Sequence, residues 1–272
     1  MLVLSGCDSG QNNYVRDVSG IKLQINIKRF DKDLMNVDLN NYNETLGELQ
    51  KSYPAFFQIY IENILAIGKL KDNFYQPQLQ GFLRFEGTKD LALKCMQEFD
   101  DISDIENSLT SAFKYYKYYF PDAVIPEVYS FFSEYIYANI TTDSILGIGL
   151  DMYLGPEHEL YATLQIPRYR FRKFRRDYIA PNAVKAFTLS RYPEENNTDK
   201  SFLGKMIYNG KILYFMDRVL PETPDSIKIG YTPEQLQWCK LSEHSIWAYF
   251  IDENLLYETD YLKYEKFLKR YC

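Results

Sequence analysis

Residues 124–153 are dense in Val, Ile, Tyr and Phe and break at the polar run Thr141-Thr142-Asp143, while the segments on either side repeat their apolar residues at helical spacing. β-Branched and aromatic side chains suit a pleated, half-buried surface, so 124–132 and 144–153 are expected strands and the middle of the chain is expected to hold the sheet. Upstream, residues 21–29 alternate apolar and polar with a period of two, which predicts a first strand. Residues 42–65 read as helix restarted at Pro54, 89–99 as another, and 101–119 as an amphipathic helix stopped by Pro121. Helical spacing returns over 182–189, 199–220 and 232–257, with Pro221 and Pro224 as interruptions and Pro233 at a first helical position. The order strand, helices, strands, helices argues for an α+β fold, a mostly helical single domain with a small sheet, rather than a doubly wound one.

A chain of 272 residues with 46% hydrophobic content can bury a substantial core. Its 37 acidic and 31 basic residues give a net charge of -6, which argues against a protein that coats nucleic acid. No apolar run approaches the ~20 residues of a membrane-spanning helix, so the body is expected to stay out of the bilayer. Tyrosine occurs 25 times, and a ring with a polar tip suits interfaces as well as cores.

The chain opens Met-Leu-Val-Leu-Ser-Gly-Cys, and Leu4-Ser5-Gly6-Cys7 resembles the lipobox at which bacterial lipoprotein precursors are cut and acylated. That resemblance implies lipid attachment at Cys7, so residues 1–7 read as a remnant signal, 8–19 as a polar tether and 20–272 as the folded domain. A single acid, Asp8, follows the cysteine, whereas surface-exported lipoproteins of this kind carry a run of acids. By that resemblance a lipid-anchored body facing the periplasm is expected, on either the inner or the outer membrane.

The chemistry-bearing residues are few. Cys7, Cys95, Cys239 and Cys272 lack the close pairing of a zinc knuckle or redox motif, and spacing alone predicts no bridge. His158 and His244 are the two histidines, too few for a histidine-rich catalytic zinc site without help from distant carboxylates. Glu157-His158-Glu159 reads as a solvated turn, and His244 as a surface or packed residue. Asp151, at the end of an apolar strand, fits a cap of the following turn better than a general base. No phosphate loop or nucleophile elbow occurs, and no cofactor, metal site or catalytic residue is expected. Arg168, Arg170, Arg172, Lys173, Arg175 and Arg176, interleaved with Tyr169, Phe171 and Phe174, form the densest positive stretch. It fits contact with anionic headgroups, docking of an acidic partner, or a solvated strand edge.

Three stretches carry a resemblance across most of the chain: residues 146–155 (Leu-Gly-Ile-Gly-Leu-Asp-Met-Tyr-Leu-Gly), 208–217 (Tyr-Asn-Gly-Lys-Ile-Leu-Tyr-Phe-Met-Asp) and 243–250 (Glu-His-Ser-Ile-Trp-Ala-Tyr-Phe). Together with the lipobox they resemble the gliding motility-associated GldB lipoprotein family. The resemblance implies a part in surface gliding and in the associated secretion machinery, with envelope motility or secretion proteins as partners and no nucleic acid. The helices at 199–220 and 232–257 also resemble those of zinc peptidases. That comparison implies a degenerate zincin-like fold in which Lys211 replaces the metal and Glu243 survives as a vestigial ligand. The function expected is a non-catalytic envelope scaffold; the alternative is a divergent metal-dependent hydrolase using Glu243 with His158 or His244.

Overall fold

Ile145–Gly149 (β3) is buried at every position, as a strand covered on both faces must be. The computed structural model describes residues 15–72, 74–164, 168–194 and 198–268. β3 pairs in parallel with Glu127–Phe131 (β1) and antiparallel with Asn139–Thr141 (β2), giving the order β1-β3-β2. Side chains alternate across this sheet. Val128, Leu146 and Ile148 enter one core, and Tyr129, Phe131 and Ile145 enter the other.

Helices cover both faces. The second core is closed by Phe30–Met35 (α1), Tyr42–Ser52 (α2), Pro54–Ile59 (α3) with the wider turn Tyr60–Ile64 that continues it, and Tyr75–Arg84 (α4). Phe30 meets Tyr53, Phe56 and Tyr60 edge to face with ring centroids 4.8–5.3 Å apart, and Phe56 stacks on Tyr129 at 4.4 Å. Much of the aromatic excess is therefore used in packing, each pair adding about 1 kcal/mol beyond its buried area. Glu86–Glu98 (α5) touches both cores, Ala92 on one side and Leu91 and Cys95 on the other. The first core is closed by Ser103–Tyr119 (α6), Ile179–Arg191 (α7) and Phe202–Val219 (α8).

The remaining helices are Asp225–Ile229 (α9), Pro233–Leu241 (α10), Glu243–Asp252 (α11) and Tyr261–Leu268 (α12). Gly230 takes the left-handed φ of 79° that ends α9. Thr232 and Gln235 then form a capping box with Pro233 in the first turn of α10. Phe202, Phe250 and Tyr264 make a small third cluster that ties the start of α8 to α11 and α12.

The fold is thus the expected mostly helical α+β domain with a small sheet, and three local expectations need correction. Residues 21–29 are not a strand; a single parallel bridge joins Lys28 to Tyr129. The Ile25 N–H donates to Thr110 Oγ1 at 2.9 Å and the Ile27 N–H to Glu106 Oε1 at 2.7 Å. Side chains of α6 satisfy donors that a neighbouring strand would otherwise take. The stretch expected as one strand to Tyr153 stops at Gly149 and tightens into a helical turn, Leu150–Tyr153. The helical stretch 232–257 divides at Ser242, where the N–H still reaches the Trp238 carbonyl at 2.9 Å, and ends before Asn254, whose φ is 53°. Within the expected tether, Val18 already packs against the first core.

Candidate functional site

The parallel strands β1 and β3 both point their carboxyl ends at the loop 132–138, the place where α/β sheets commonly bind ligands. Asp151 sits there, fully buried. Its Oδ2 accepts from the Ser133 N–H at 2.9 Å and the Tyr135 N–H at 2.7 Å, while Oδ1 has no hydrogen-bond partner among the described residues. Burial pushes its pKa up to about 6 against the pull of those N–H donors. Glu134 and Tyr135 adopt left-handed φ values of 55° and 68°, a strain of order 1 kcal/mol each that the Asp151 hydrogen bonds help to hold.

Around this carboxylate the rings close in. The Tyr161 hydroxyl donates to the Asp151 carbonyl at 2.8 Å and accepts from the Leu154 N–H at 3.0 Å. The Tyr135 hydroxyl lies 2.8 Å from His158 Nε2, and the His158 ring meets Tyr161 edge to face at 4.9 Å. His158 is accordingly half-buried and packed, not the solvated turn residue that its acidic neighbours suggest, and desolvation holds its pKa below the ordinary value. Asp151 does cap a turn, but one sixteen to eighteen residues upstream. The cluster is sealed by its own rings, and its geometry is that of a clasp on the 133–135 turn.

The basic stretch forms tight helical turns, Arg168–Lys173 and Arg176–Tyr178, not a strand edge. Several of its cations are consumed internally. Arg176 grips Asp104 with two nitrogens at 2.9 and 2.5 Å, donates to the Glu98 and Asp101 carbonyls, and lies over Phe99. Arg172 donates to the Gly230 carbonyl and to Gln235 Oε1 at 3.1 Å, joining the stretch to the α9–α10 corner. Lys173 packs its chain against Gly230. Arg175 pairs with Asp177 at 2.6 Å and covers Tyr178. Arg170 is exposed; the Arg168 side chain lies outside the described residues.

Lys211 and Glu243 are both exposed, and no ion pair joins them among the described residues. His244 is exposed beside Glu243. Among the described residues no group of three or more His, Cys, Asp or Glu side chains is placed to hold a metal ion, so the zincin-like comparison has no structural support. Cys95 and Cys239 are free thiols; Cys7 and Cys272 lie outside the described residues. No described helix is long and apolar enough to cross a membrane.

The sequence reading missed a concave feature of the helical face. A groove of about 660 Å³ opens between the ends of α6 and α7 and the middle of α8, lined by Arg16, Tyr119, Phe120, Tyr192, Tyr208, Lys211, Ile212, Tyr214, Phe215 and Arg218. Its floor is rigid. Phe215 contacts Tyr116, Phe120 and Tyr192 at centroid distances of 5.9–6.1 Å, and the Tyr208 hydroxyl donates to the Tyr192 carbonyl at 2.7 Å. On the rim, Arg218 lies 4.5 Å over the Tyr214 ring and donates to its hydroxyl at 2.8 Å, which presents ring and guanidinium as one unit. Glu194, a nearby acid, is tied to Lys205. The signal was available: positions 208, 211, 215 and 218 recur at three- and four-residue spacing, so one face of α8 carries a ladder of rings and cations.

The sequence matches the family described as "Gliding motility protein GldB" over residues 11–271. No match was found among curated proteins or among solved structures.

Proposed function

Since the chain belongs to the gliding motility protein GldB family, we propose that it is a non-catalytic docking module, held in the cell envelope by lipid on Cys7 and engaging a protein of the gliding or associated secretion machinery. The family carries the gliding-related role and the envelope setting; the anchor, the periplasmic side and the absence of catalysis belong to the proposal. The observation that carries it is the groove on α8. It is concave, walled by packed aromatic rings and rimmed by cations, the composition that dominates protein–protein hot spots. Arg16, which lines it, lies nine residues after Cys7 in the sequence. That span reaches at most ~30 Å, so an anchored body would present the groove near the membrane that holds its partner.

The buried Asp151 cluster supports the same reading by what it lacks. A general base must reach a substrate proton, and Asp151 is walled in by backbone and rings. The basic stretch at 168–176 contributes mainly to the fold, because Arg172 and Arg176 tie it to neighbouring elements; its exposed members, Arg170 and Arg175, remain candidates for a secondary contact with headgroups or partner.

The test is complementation in a gliding bacterium deleted for its own family member. Tyr214→Ala and Lys211→Glu are expected to abolish colony spreading while immunoblots show normal chain abundance. Full spreading by both variants at normal abundance would remove the groove from the function.

A further inference from the structure

The groove's charge is out of character for the chain. The whole sequence carries -6, yet Arg16, Lys211 and Arg218 surround this one cavity and no carboxylate is among its described lining residues. Whatever further contacts Arg218 makes within the chain, a cavity edged by cations and lacking a lining carboxylate favours a ligand of opposite charge. Between the cations the walls are rings rather than aliphatic chains, and the tyrosine hydroxyls of the lining can exchange hydrogen bonds with a peptide backbone as well as pack against side chains. Saturated acyl chains would use neither property.

Resting on the docking function proposed above, we infer that the groove receives a short peptide segment of a partner protein that carries carboxylates beside aromatic or large apolar side chains. The apolar side chain enters between Phe120, Tyr192 and Phe215, and the carboxylates meet Lys211 and the Arg218 fork on the rim. A flat bilayer surface cannot fill a cavity of about 660 Å³ that extends between three helices, whereas one or two side chains projecting from a peptide can. The size falls within the ~300–1,000 Å³ usual for a specific binding pocket.

The test is selection from a phage-displayed library of random peptides against the purified full-length chain, with Lys211→Glu and Tyr214→Ala variants in parallel and circular dichroism to verify that each is folded. Enriched peptides are then synthesised and their binding followed by fluorescence anisotropy. The expected result is enrichment of sequences that combine Asp or Glu with Phe, Tyr, Trp or Leu. Their affinity should fall at least about tenfold with Lys211→Glu, and it should weaken as salt rises from about 0.05 M to about 0.5 M. Enriched peptides that lack acids and still require Tyr214 would overturn this inference while leaving the docking function intact. No enrichment that depends on either residue would remove both. Lys211-dependent binding of phosphatidylglycerol vesicles without peptide selection, or Lys211-dependent self-association in sedimentation, would replace the peptide with a lipid or with a second copy.

Discussion

Asp31 and Asp151 are both buried carboxylates, and the difference between them lies in their partners. Asp31 receives two nitrogens of Arg29 at 3.0 and 2.6 Å and the Ser130 hydroxyl, whereas Asp151 has two backbone N–H donors on one oxygen and, among the described residues, no hydrogen-bond partner on the other. Burial therefore wins at Asp151 and raises its pKa from an ordinary 3.8 to about 6. A carboxyl that holds its proton more tightly when folded contributes stability that is fully present below about 4 and is lost as pH rises through about 6. Between pH ~4 and ~7 this group should cost the fold on the order of 2 kcal/mol. Asp151→Asn keeps an acceptor for the Ser133 and Tyr135 N–H groups and removes the ionisation. Its urea midpoint is expected to gain on that of the unaltered chain steadily across that interval, and parallel pH curves would show that Asp151 does not titrate there. Sequence made the capping role of Asp151 legible but not its target, because the loop that it holds lies across the strand end and not in the next turn. For the cations of 168–176, alternation in sequence says nothing about the carbonyls of Glu98, at the end of α5, and Asp101, in the turn before α6, which accept from Arg176.

At the scale of elements, the sheet depends on two close approaches. A methyl group at Gly149 would stand 2.0 Å from the Tyr137 carbonyl oxygen, a backbone atom that cannot retreat without unpairing β2, and the Gly149 N–H also donates to Ala138. At Gly147 the nearest atoms are Ile140 Cγ1 at 2.6 Å and Phe131 Cε1 at 3.0 Å, both side-chain atoms and not a paired backbone carbonyl. Gly149→Ala is expected to destabilise the chain by about 3 kcal/mol and Gly147→Ala by distinctly less, as read from thermal unfolding. Equal losses would mean that β2 is freer to shift than its pairing with β3 indicates. Helices 42–65, 101–119 and 199–220 were legible because amphipathic spacing and proline positions are local signals. The N-terminal strand was read wrongly because period-two alternation reports which faces are buried, not which group accepts the N–H. Here Thr110 and Glu106 of a helix do so.

Across the whole molecule, charge and aromatic content divide between two tasks. Tyrosines and phenylalanines at Phe30, Phe56, Tyr60 and Tyr129 build a core, while those at Tyr119, Tyr192 and Tyr214 line a cavity with cations around it. Composition alone could not separate these roles, since both draw on the same residue types and α6, α7 and α8 supply both. The spacing of 208, 211, 215 and 218 carried the ladder on α8 although it went unread, residues 4–7 resemble a lipobox, and the fold sets Arg16 beside that ladder. The most direct test places a photo-crosslinking amino acid at Tyr214 of the full-length chain in intact gliding cells, with Lys211→Glu and Cys7→Ala in parallel. A docking module predicts one or a few discrete adducts, mapped by mass spectrometry to acidic segments of envelope proteins and lost in both variants. Adducts that are absent, or unchanged by Lys211→Glu, would contradict it.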